Sequence, residues 1–128
     1  IYIHTVPGGL TQVVVNLVNN SLGHAFPGDR QGRIQLRVRR DGPWVVLDVA
    51  DDGVGMSPEV RDKVFEPFFT TRRGGKHAGS GLGLHLVYNV VRRQLGGEIS
   101  VVSTPGEGST FTVQLPLMPQ HDHLQDAD

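Results

Sequence analysis

Four polar, glycine-rich motifs follow one another in a fixed order and constrain this chain more than any other feature. A pair of asparagines, Asn16 and Asn20, comes first, and the segments DDGVGM (51–56), FEPFFTT (65–71) and GSGLGL (79–84) follow. Each motif by itself could be a surface loop. Together they supply a hydrogen-bond acceptor, an oxygen ligand for a metal, a mobile flap and backbone amides at a helix start, which are the parts of a nucleotide pocket.

The composition is that of an ordinary globular domain. With 128 residues, 38% of them hydrophobic and 20% charged, the chain is long enough for one domain with a real core. Its formal net charge of −1 gives no basic field, so we expect no nucleic-acid partner. Because the chain has no cysteine, disulfides and thiolate metal sites are excluded.

Two features bear on where the chain resides. No apolar stretch approaches the roughly 20 residues that span a bilayer, and no signal peptide is visible. The first residue is Ile1 rather than Met, which indicates a piece of a longer protein. We therefore expect a cytoplasmic domain that makes no membrane contact itself, within a parent protein that can still be membrane-anchored.

The first half of the chain predicts a helix and a hairpin. Residues 1–5 are typical of a short strand or an extended entry segment, and Pro7 suits a helix start. Residues 33–50 alternate around an RDGP turn and predict two strands. The apolar stripe of the helix consists of Leu10, Val13, Val14, Leu17, Val18 and Leu22. A polar stripe beside it consists of Gln12, Asn16, Asn20 and His24. The apolar face of the first strand consists of Ile34, Leu36 and Val38, with arginines on the other face.

The second half predicts two helices and another hairpin. Ser57 suits the N-cap of a short helix at 57–66, and a polar, glycine-rich loop follows at 70–79. A long helix is expected from Gly81 to about Gln94, where Gly96-Gly97 ends it. The segments EISVVS and STFTVQLP then form two strands around a PGEG turn.

The resulting element order, α-β-β-α-α-β-β, predicts an α+β fold. Hairpins at both ends indicate a mixed, mostly antiparallel sheet with about three helices on one face. We expect the folded domain to span residues 1–118. The polar tail 119–128 has little to bury, and we expect it to be disordered.

Asp51 is the candidate for recognising a base. It follows a strand and precedes Gly53 and Gly55, which would let the backbone approach a flat ring. Because a carboxylate only accepts hydrogen bonds, it suits the N6 amine of adenine, whereas the carbonyl of guanine would face it as a second acceptor. Such an unsatisfied buried group costs about 1–3 kcal/mol. The alternative is a simple Asp-Gly turn.

The polar stripe of the first helix is the candidate for binding a metal and phosphates. Asn20 offers an amide oxygen that suits Mg²⁺, an ion that keeps several waters and shares substrate phosphates. Asn16, one turn earlier, could orient phosphate or metal-bound water, and His24, one turn later, could approach the phosphates. The alternative for each is a solvated residue on the flank of a helix.

GSGLGL lies where a loop becomes the last long helix. Amides at a helix start and the helix dipole favour an anion there. The motif is neither a Walker A loop nor a dinucleotide fingerprint, since the Lys and the preceding strand are missing. The loop before it, with Arg72, Arg73 and Lys76, could fold over a polyphosphate or remain a solvated surface loop. An aromatic cluster expected to anchor the loop's hinge consists of Phe65, Phe68 and Phe69.

Taken together, the motifs resemble those of the ATP-binding catalytic domain of sensor histidine kinases, in the superfamily that includes DNA gyrase B, Hsp90 and the MutL ATPases. NLVNNSLGHAF is similar to the N box, DDGVGM to the G1 box, FEPFFTT to the F box, GSGLGL to the G2 box, and PGEGSTF to the final glycine–hydroxyl motif. The resemblance covers roughly residues 7–116 and implies a Bergerat-type two-layer α/β sandwich. The combination is highly specific, although each box alone is not.

The resemblance implies ATP and Mg²⁺ as ligands and assigns roles to residues. Asp51 would read adenine, Asn20 would hold Mg²⁺, residues 70–80 would form the ATP lid, and Ser109 or Thr110 would lie near the base. Asn16 and Asn20 are the implied catalytic residues. The implied nucleotide-binding residues are Asn16, Asn20, His24, Asp51, Gly53, Gly55, Met56, Phe65, Thr71, Arg73, Lys76, Gly79, Ser80, Gly81, Leu82, Gly83, Leu84, Ser109 and Thr110.

One residue discriminates within the superfamily. Hydrolytic members place a glutamate one turn before the metal-binding Asn, where it acts as a general base, and this chain has Asn16 there. We therefore predict weak hydrolysis and transfer of the γ-phosphoryl group to a partner's nucleophile. The resemblance implies that this nucleophile is a histidine on a separate helical dimerisation domain of the same parent protein, with a response regulator downstream. Alone, the chain is predicted to bind ATP but not to autophosphorylate.

Three alternatives stay open. The chain could be an ATPase-type member of the superfamily, an anti-sigma serine kinase, or a degenerate module that only binds protein. Two departures bear on nucleotide affinity. Asp52 replaces the Asn that the family often has, which adds negative charge near the adenine end, and the lid is short.

Overall fold

A computed structural model describes residues 7–25, 31–67 and 83–117 of the chain. The predicted strand at 1–5 and the predicted disordered tail at 119–128 lie outside these ranges. The described helices are α1 (Pro7–Asn20), which continues as a π-helical turn (Ser21–Ala25), α2 (Pro58–Arg61), and α3 (Gly83–Asn89), which continues as a second π-helical turn (Val90–Gln94). The strands are β1 (Ile34–Asp41), β2 (Trp44–Asp51), β3 (Glu98–Thr104) and β4 (Gly108–Pro116).

The described strands form one four-stranded sheet in the order β1-β2-β4-β3, and every neighbouring pair is antiparallel. Two hairpins, β1-β2 and β3-β4, meet through the central pairing of β2 with β4. The α+β class and both predicted hairpins are thereby confirmed. The β2-β4 register places Asp51 directly opposite Ser109, so the DDGVGM motif leaves the sheet beside the last strand.

The core lies between the sheet and the helices α1 and α3. Alternate residues of the central strands face it, among them Val49 and Phe111, which are 1% exposed. The packed set consists of Val13, Leu17, Leu47, Val49, Val64, Val87, Val90, Val91, Leu95, Ile99, Phe111, Val113 and Leu115. The helices bury these residues on one face of the sheet. The C-terminal ends of α1 and β2 and the start of β4 therefore lie together at one edge of the core.

The predicted apolar pattern is wrong at Leu22, whereas the predicted apolar face of β1 is present but exposed at two positions. Leu22, assigned to the apolar stripe of α1, is 59% exposed, because the helix widens to a π-helical turn from Ser21 onwards and the 3.6-residue period is lost. Leu36 and Val38 lie opposite the buried Val49 and Leu47, yet they are exposed. They belong to β1, which is an edge strand among the strands that the structure describes, and its apolar side chains lie at the margin of the core.

The short helix at 57–66 is only partly correct. Its N-cap is confirmed, since the Ser57 hydroxyl accepts from the amide of Val60 at 3.3 Å. The α-helix itself ends at Arg61, and residues to Glu66 continue as turns with amide-to-carbonyl bonds three residues apart. The predicted end of the last long helix at Gln94 is confirmed, and Gly96 follows with a positive φ of 68°.

Candidate functional site

The carboxylate of Asp51 is held by groups from three parts of the chain. Its Oδ1 accepts from the backbone amides of Gly53 at 2.9 Å and Ser109 at 3.3 Å. Its Oδ2 accepts from the hydroxyl of Ser21 at 2.9 Å. These donors come from the loop after β2, from β4 and from the end of α1. The side chain of Asp51 is therefore fixed at the point where the sheet and the first helix meet.

The glycines of the DDGVGM motif are required by protein backbone packed against them. A Cβ on Gly53 would lie 2.3 Å from Cβ of Ala25, and the next amide, of Val54, donates to the Ala25 carbonyl at 2.9 Å. Gly55 has a φ of 72°, and a Cβ there would lie 2.1 Å from the carbonyl oxygen of Thr104. The loop therefore packs between the π-helical turn after α1 and the β3-β4 turn, and neither glycine position has room for a side chain.

A serine that sequence reasoning missed connects this loop to β4. The hydroxyl of Ser103 accepts from the amide of Met56 at 2.7 Å, donates to the carbonyl of Gly108 at 3.1 Å, and lies 2.8 Å from the hydroxyl of Ser109. A signal was present in the strand pattern, because Ser103 continues the inward-facing positions of Ile99 and Val101.

Ser21 was missed in the same way. It lies four residues after the buried Leu17, so it continues the apolar stripe of α1, and it is only 1% exposed. A serine at a core position needs a hydrogen-bond partner, and Asp51 provides it.

The asparagines of α1 share one side of the helix. Asn16 and Asn20 are both half-buried, and within the described ranges neither side chain has a hydrogen-bond partner. His24 follows four residues after Asn20, in the π-helical turn, and its side chain is outside what the structure describes. The described residues contain no group of three or more His, Asp or Glu side chains arranged to hold a metal. A Mg²⁺ ion bound mainly by phosphates and water needs only one amide oxygen, so the residues present fit that ion.

The side chains of Ser109 and Thr110, the two hydroxyl residues of the final motif, lie on opposite faces of the sheet. Ser109 is buried beside Asp51, and its side chain lies on the helix-covered face of β4. Thr110 is the next residue along the strand, so its side chain points to the opposite face. Of the predicted pair, only Ser109 is brought to Asp51.

Phe65 is built into the core edge. Its ring lies 5.5 Å from that of Tyr88 and 6.1 Å from that of Phe111, measured between centroids. Its carbonyl accepts from Nδ1 of His85 at 3.1 Å, and Nε2 of the same ring lies 3.1 Å from Nδ2 of Asn89. Because a carbonyl only accepts, Nδ1 carries the proton and Nε2 accepts from the amide. The hydrogen bond between Phe65 and His85 therefore joins the start of the FEPFFTT motif to the first turn of α3, as expected for an aromatic anchor.

The remaining predicted residues divide into two groups. Gly83 begins α3, and Leu84 packs partly buried against the core, as does Met56. The predicted residues outside the described ranges are Thr71, Arg73, Lys76, Gly79, Ser80, Gly81 and Leu82. Asp52 is exposed, and its carboxylate accepts from the amide of Arg33 at 2.7 Å, so part of its charge is engaged at the start of β1. No helix among the described residues has the length and apolar character needed to cross a membrane.

Comparison with known proteins places this arrangement in a family. Residues 5–119 match the family model described as "Histidine kinase-, DNA gyrase B-, and HSP90-like ATPase". The two-component sensor PprA of Pseudomonas aeruginosa is 40% identical over 84% of this chain and 12% of its own length. The sensor histidine kinase ZraS of Salmonella typhimurium is 41% identical over 88% of this chain and 23% of its own length. The chain therefore spans less than a quarter of these curated relatives.

Solved structures agree with the sequence comparison. The catalytic domain of the histidine kinase ThkA superposes with a TM-score of 0.76 and 27% identity, covering 92% of this chain and 72% of that one. Full-length ShkA, solved in complex with AMPPNP, superposes with a TM-score of 0.71 and 31% identity, covering 85% of this chain and 21% of that one. The predicted resemblance is confirmed. The chain belongs to the family of histidine kinase-, DNA gyrase B- and HSP90-like ATPases, and within it is homologous to the catalytic domains of sensor histidine kinases.

Proposed function

We propose that this chain binds Mg-ATP with the adenine against Asp51 and serves as the catalytic domain of a sensor histidine kinase. The observation that carries the proposal is the half-buried carboxylate of Asp51, oriented by three donors inside the fold of this family. The AMPPNP complex of the structurally similar ShkA supports an adenine nucleotide as the ligand. A carboxylate in this position accepts from the 6-amino group of adenine and opposes the 6-carbonyl of guanine or hypoxanthine.

The asparagine side of α1 is proposed to face the phosphates. Asn20 would hold the metal ion through its amide oxygen, and Asn16 would orient phosphate or metal-bound water. Mg²⁺ bound there would supply positive charge against the phosphates. His24, the lid residues Thr71, Arg73 and Lys76, the segment 79–82, and the amides at the start of α3 are proposed as further phosphate contacts.

The reaction is proposed to be transfer of the γ-phosphoryl group rather than hydrolysis. Asn16 stands where a general base would be needed, and a neutral amide cannot take a proton from water. The acceptor would be a histidine on a helical dimerisation domain elsewhere in the parent protein, with a response regulator receiving the group afterwards. The size of the curated relatives, several times longer than this chain, leaves room for that domain. A cytoplasmic position follows from the same proposal.

Binding calorimetry with Asp51→Asn tests the base assignment. Oδ1 receives two backbone amides, so the oxygen of the new amide stays there and its NH2 group takes the place of Oδ2. This NH2 donor would then face the amine of adenine, and we expect ATP affinity to fall about tenfold or more. The ratio of ATP to inosine triphosphate affinity is expected to fall with it, because the 6-carbonyl of hypoxanthine can accept from the new donor.

Asp52→Asn is the matched control. It removes the same charge from the residue next to Asp51, and the side chain of that residue is exposed. We therefore expect ATP affinity to change by less than about threefold. Equal losses in both variants would point to a general charge effect and contradict adenine recognition by Asp51. No measurable heat with ATP and Mg²⁺ in the unsubstituted chain would favour the protein-binding module.

A further inference from the structure

We propose that Ser21 is a positioning residue that orients the carboxylate of Asp51 for the 6-amino group of the base. This inference rests on the proposed function, since it concerns the same site. Ser21 begins the π-helical turn that follows α1, and its hydroxyl reaches Asp51 across 30 residues of sequence at 2.9 Å. The serine is 1% exposed, so the bond is shielded from competing water.

The hydrogen bond of Ser21 adds a restraint on the carboxylate of Asp51 at its second oxygen. The terminal torsion of an aspartate is broad, and turning about the Cβ–Cγ bond moves both oxygens, so donors on both oxygens hold the carboxylate more firmly than donors on one. The amides of Gly53 and Ser109 both bond Oδ1. Ser21 is the donor among the described residues that bonds Oδ2, and together with the two amides it sets the plane of the carboxylate.

The described donors around the Asp51 carboxylate leave one of its acceptor positions open. A carboxylate offers about four lone-pair sites, two on each oxygen. The described residues supply two donors to Oδ1 and one to Oδ2. Counted over the described residues, one site on Oδ2 is left, and it can take one hydrogen of a primary amine. A ligand that meets a pre-oriented acceptor loses less free energy to ordering the protein than one that meets a freely turning acceptor.

The position of Ser21 also relates the two ends of the proposed pocket. It follows Asn20 directly, so the segment that would hold the metal ion is joined through one hydrogen bond to the group that would read the base. Because the hydroxyl itself bonds Asp51 and not the asparagines, removing it should act on recognition of the amino group rather than on the phosphates.

The test compares two ligands that differ only in that group. ATP and purine riboside triphosphate, which lacks the 6-amino group, are titrated by calorimetry into the unsubstituted chain, Ser21→Ala, Ser21→Thr and the control Ser100→Ala, an exposed serine on β3. For Ser21→Ala we expect ATP affinity to fall about tenfold, as for one hydrogen bond to a charged group, and purine riboside triphosphate affinity to stay within about twofold. Ser21→Thr, which keeps the hydroxyl, and Ser100→Ala should retain the preference for ATP.

Each other outcome has a definite meaning. Equal weakening of both ligands by Ser21→Ala would reveal a merely structural role, and unchanged or tighter ATP binding would show that the serine competes with the base; either overturns the proposal. A folded Ser21→Thr variant that loses the preference would also contradict it. If the unsubstituted chain binds both ligands equally, the assignment of Asp51 to the base fails first and this inference fails with it. Thermal unfolding of each variant confirms that it is folded.

Discussion

At the scale of single residues, glycine is required where β4 and the DDGVGM loop approach other backbone. Gly108 has a φ of 116°, and a Cβ there would lie 2.0 Å from the carbonyl oxygen of Asp51. This contact brings the next amide, of Ser109, to the Asp51 carboxylate. Sequence reasoning attributed Gly53 and Gly55 to the approach of a flat ring. The contacts found at both positions are with protein, so their role toward a ligand stays a prediction.

Alanine at Gly53 should destabilise the fold. The added methyl would overlap Ala25, whose own backbone is bonded to Val54, and neither side can move independently. We expect the free energy of unfolding in urea to fall by roughly 1–3 kcal/mol. Gly8→Ala is the control, because it lies in α1 with nothing within 4 Å of the new Cβ. That change should raise the free energy of unfolding by about 0.5 kcal/mol. Equal effects at both positions would contradict the packing explanation.

At the scale of elements, the position of a strand in the sheet decides whether its apolar face is buried. Val38 of β1 and Val113 of β4 both lie on alternating apolar faces, and local pattern does not distinguish them. The order of the described strands places β4 in the interior and β1 at an edge, and accordingly Val113 is fully buried and Val38 is 59% exposed. Strand order arises from long-range pairing, which periodicity does not encode.

The same substitution in these two strands should therefore have different costs. Val113→Ala removes two methyl groups from the packed core, and we expect the free energy of unfolding to fall by on the order of 2 kcal/mol. Val38→Ala should lower it by about 0.5 kcal/mol or less. Urea denaturation of both variants measures the difference. A large loss at Val38 would show that β1 is covered in solution.

At the scale of the whole molecule, the chain is a family domain that spans only part of its relatives. Its fold and its membership in the ATPase family are established by a match over residues 5–119 and by superposition on histidine kinase catalytic domains. The phosphoryl acceptor is a proposal, since it would lie in another domain of the parent protein. The proposal therefore has to be tested with that domain present.

Phosphate transfer is expected only when the chain is joined to the helical dimerisation domain proposed for its parent protein. Incubation of the longer protein with γ-labelled ATP should give acid-labile label on a histidine, whereas the chain alone should remain unlabelled. Asn20→Ala should abolish labelling, because Mg²⁺ would lose its proposed protein ligand. Asn19→Ala removes the same amide from an exposed neighbouring position and should leave labelling intact. Acid-stable label on serine would favour a serine kinase, and steady phosphate release that Asn16→Ala abolishes would favour an ATPase.

The order of the elements and motifs was readable from local sequence. Period-2 alternation around the RDGP and PGEG turns predicted both hairpins, and the spacing of four residues predicted that Asn16 and Asn20 share a helix side. These patterns act over a few residues, so no tertiary information is needed to read them. The motif order was sufficient to predict the family, and the family match confirms it.

Only the tertiary structure decided which side chains meet Asp51. Ser21 lies 30 residues before it, and Ser109 lies 58 residues after it. Their contact with one carboxylate depends on the pairing of β2 with β4 and on how the end of α1 packs over that edge. A buried serine looks like any other small residue in a sequence, because its hydrogen bond is made with a partner that folding alone brings near.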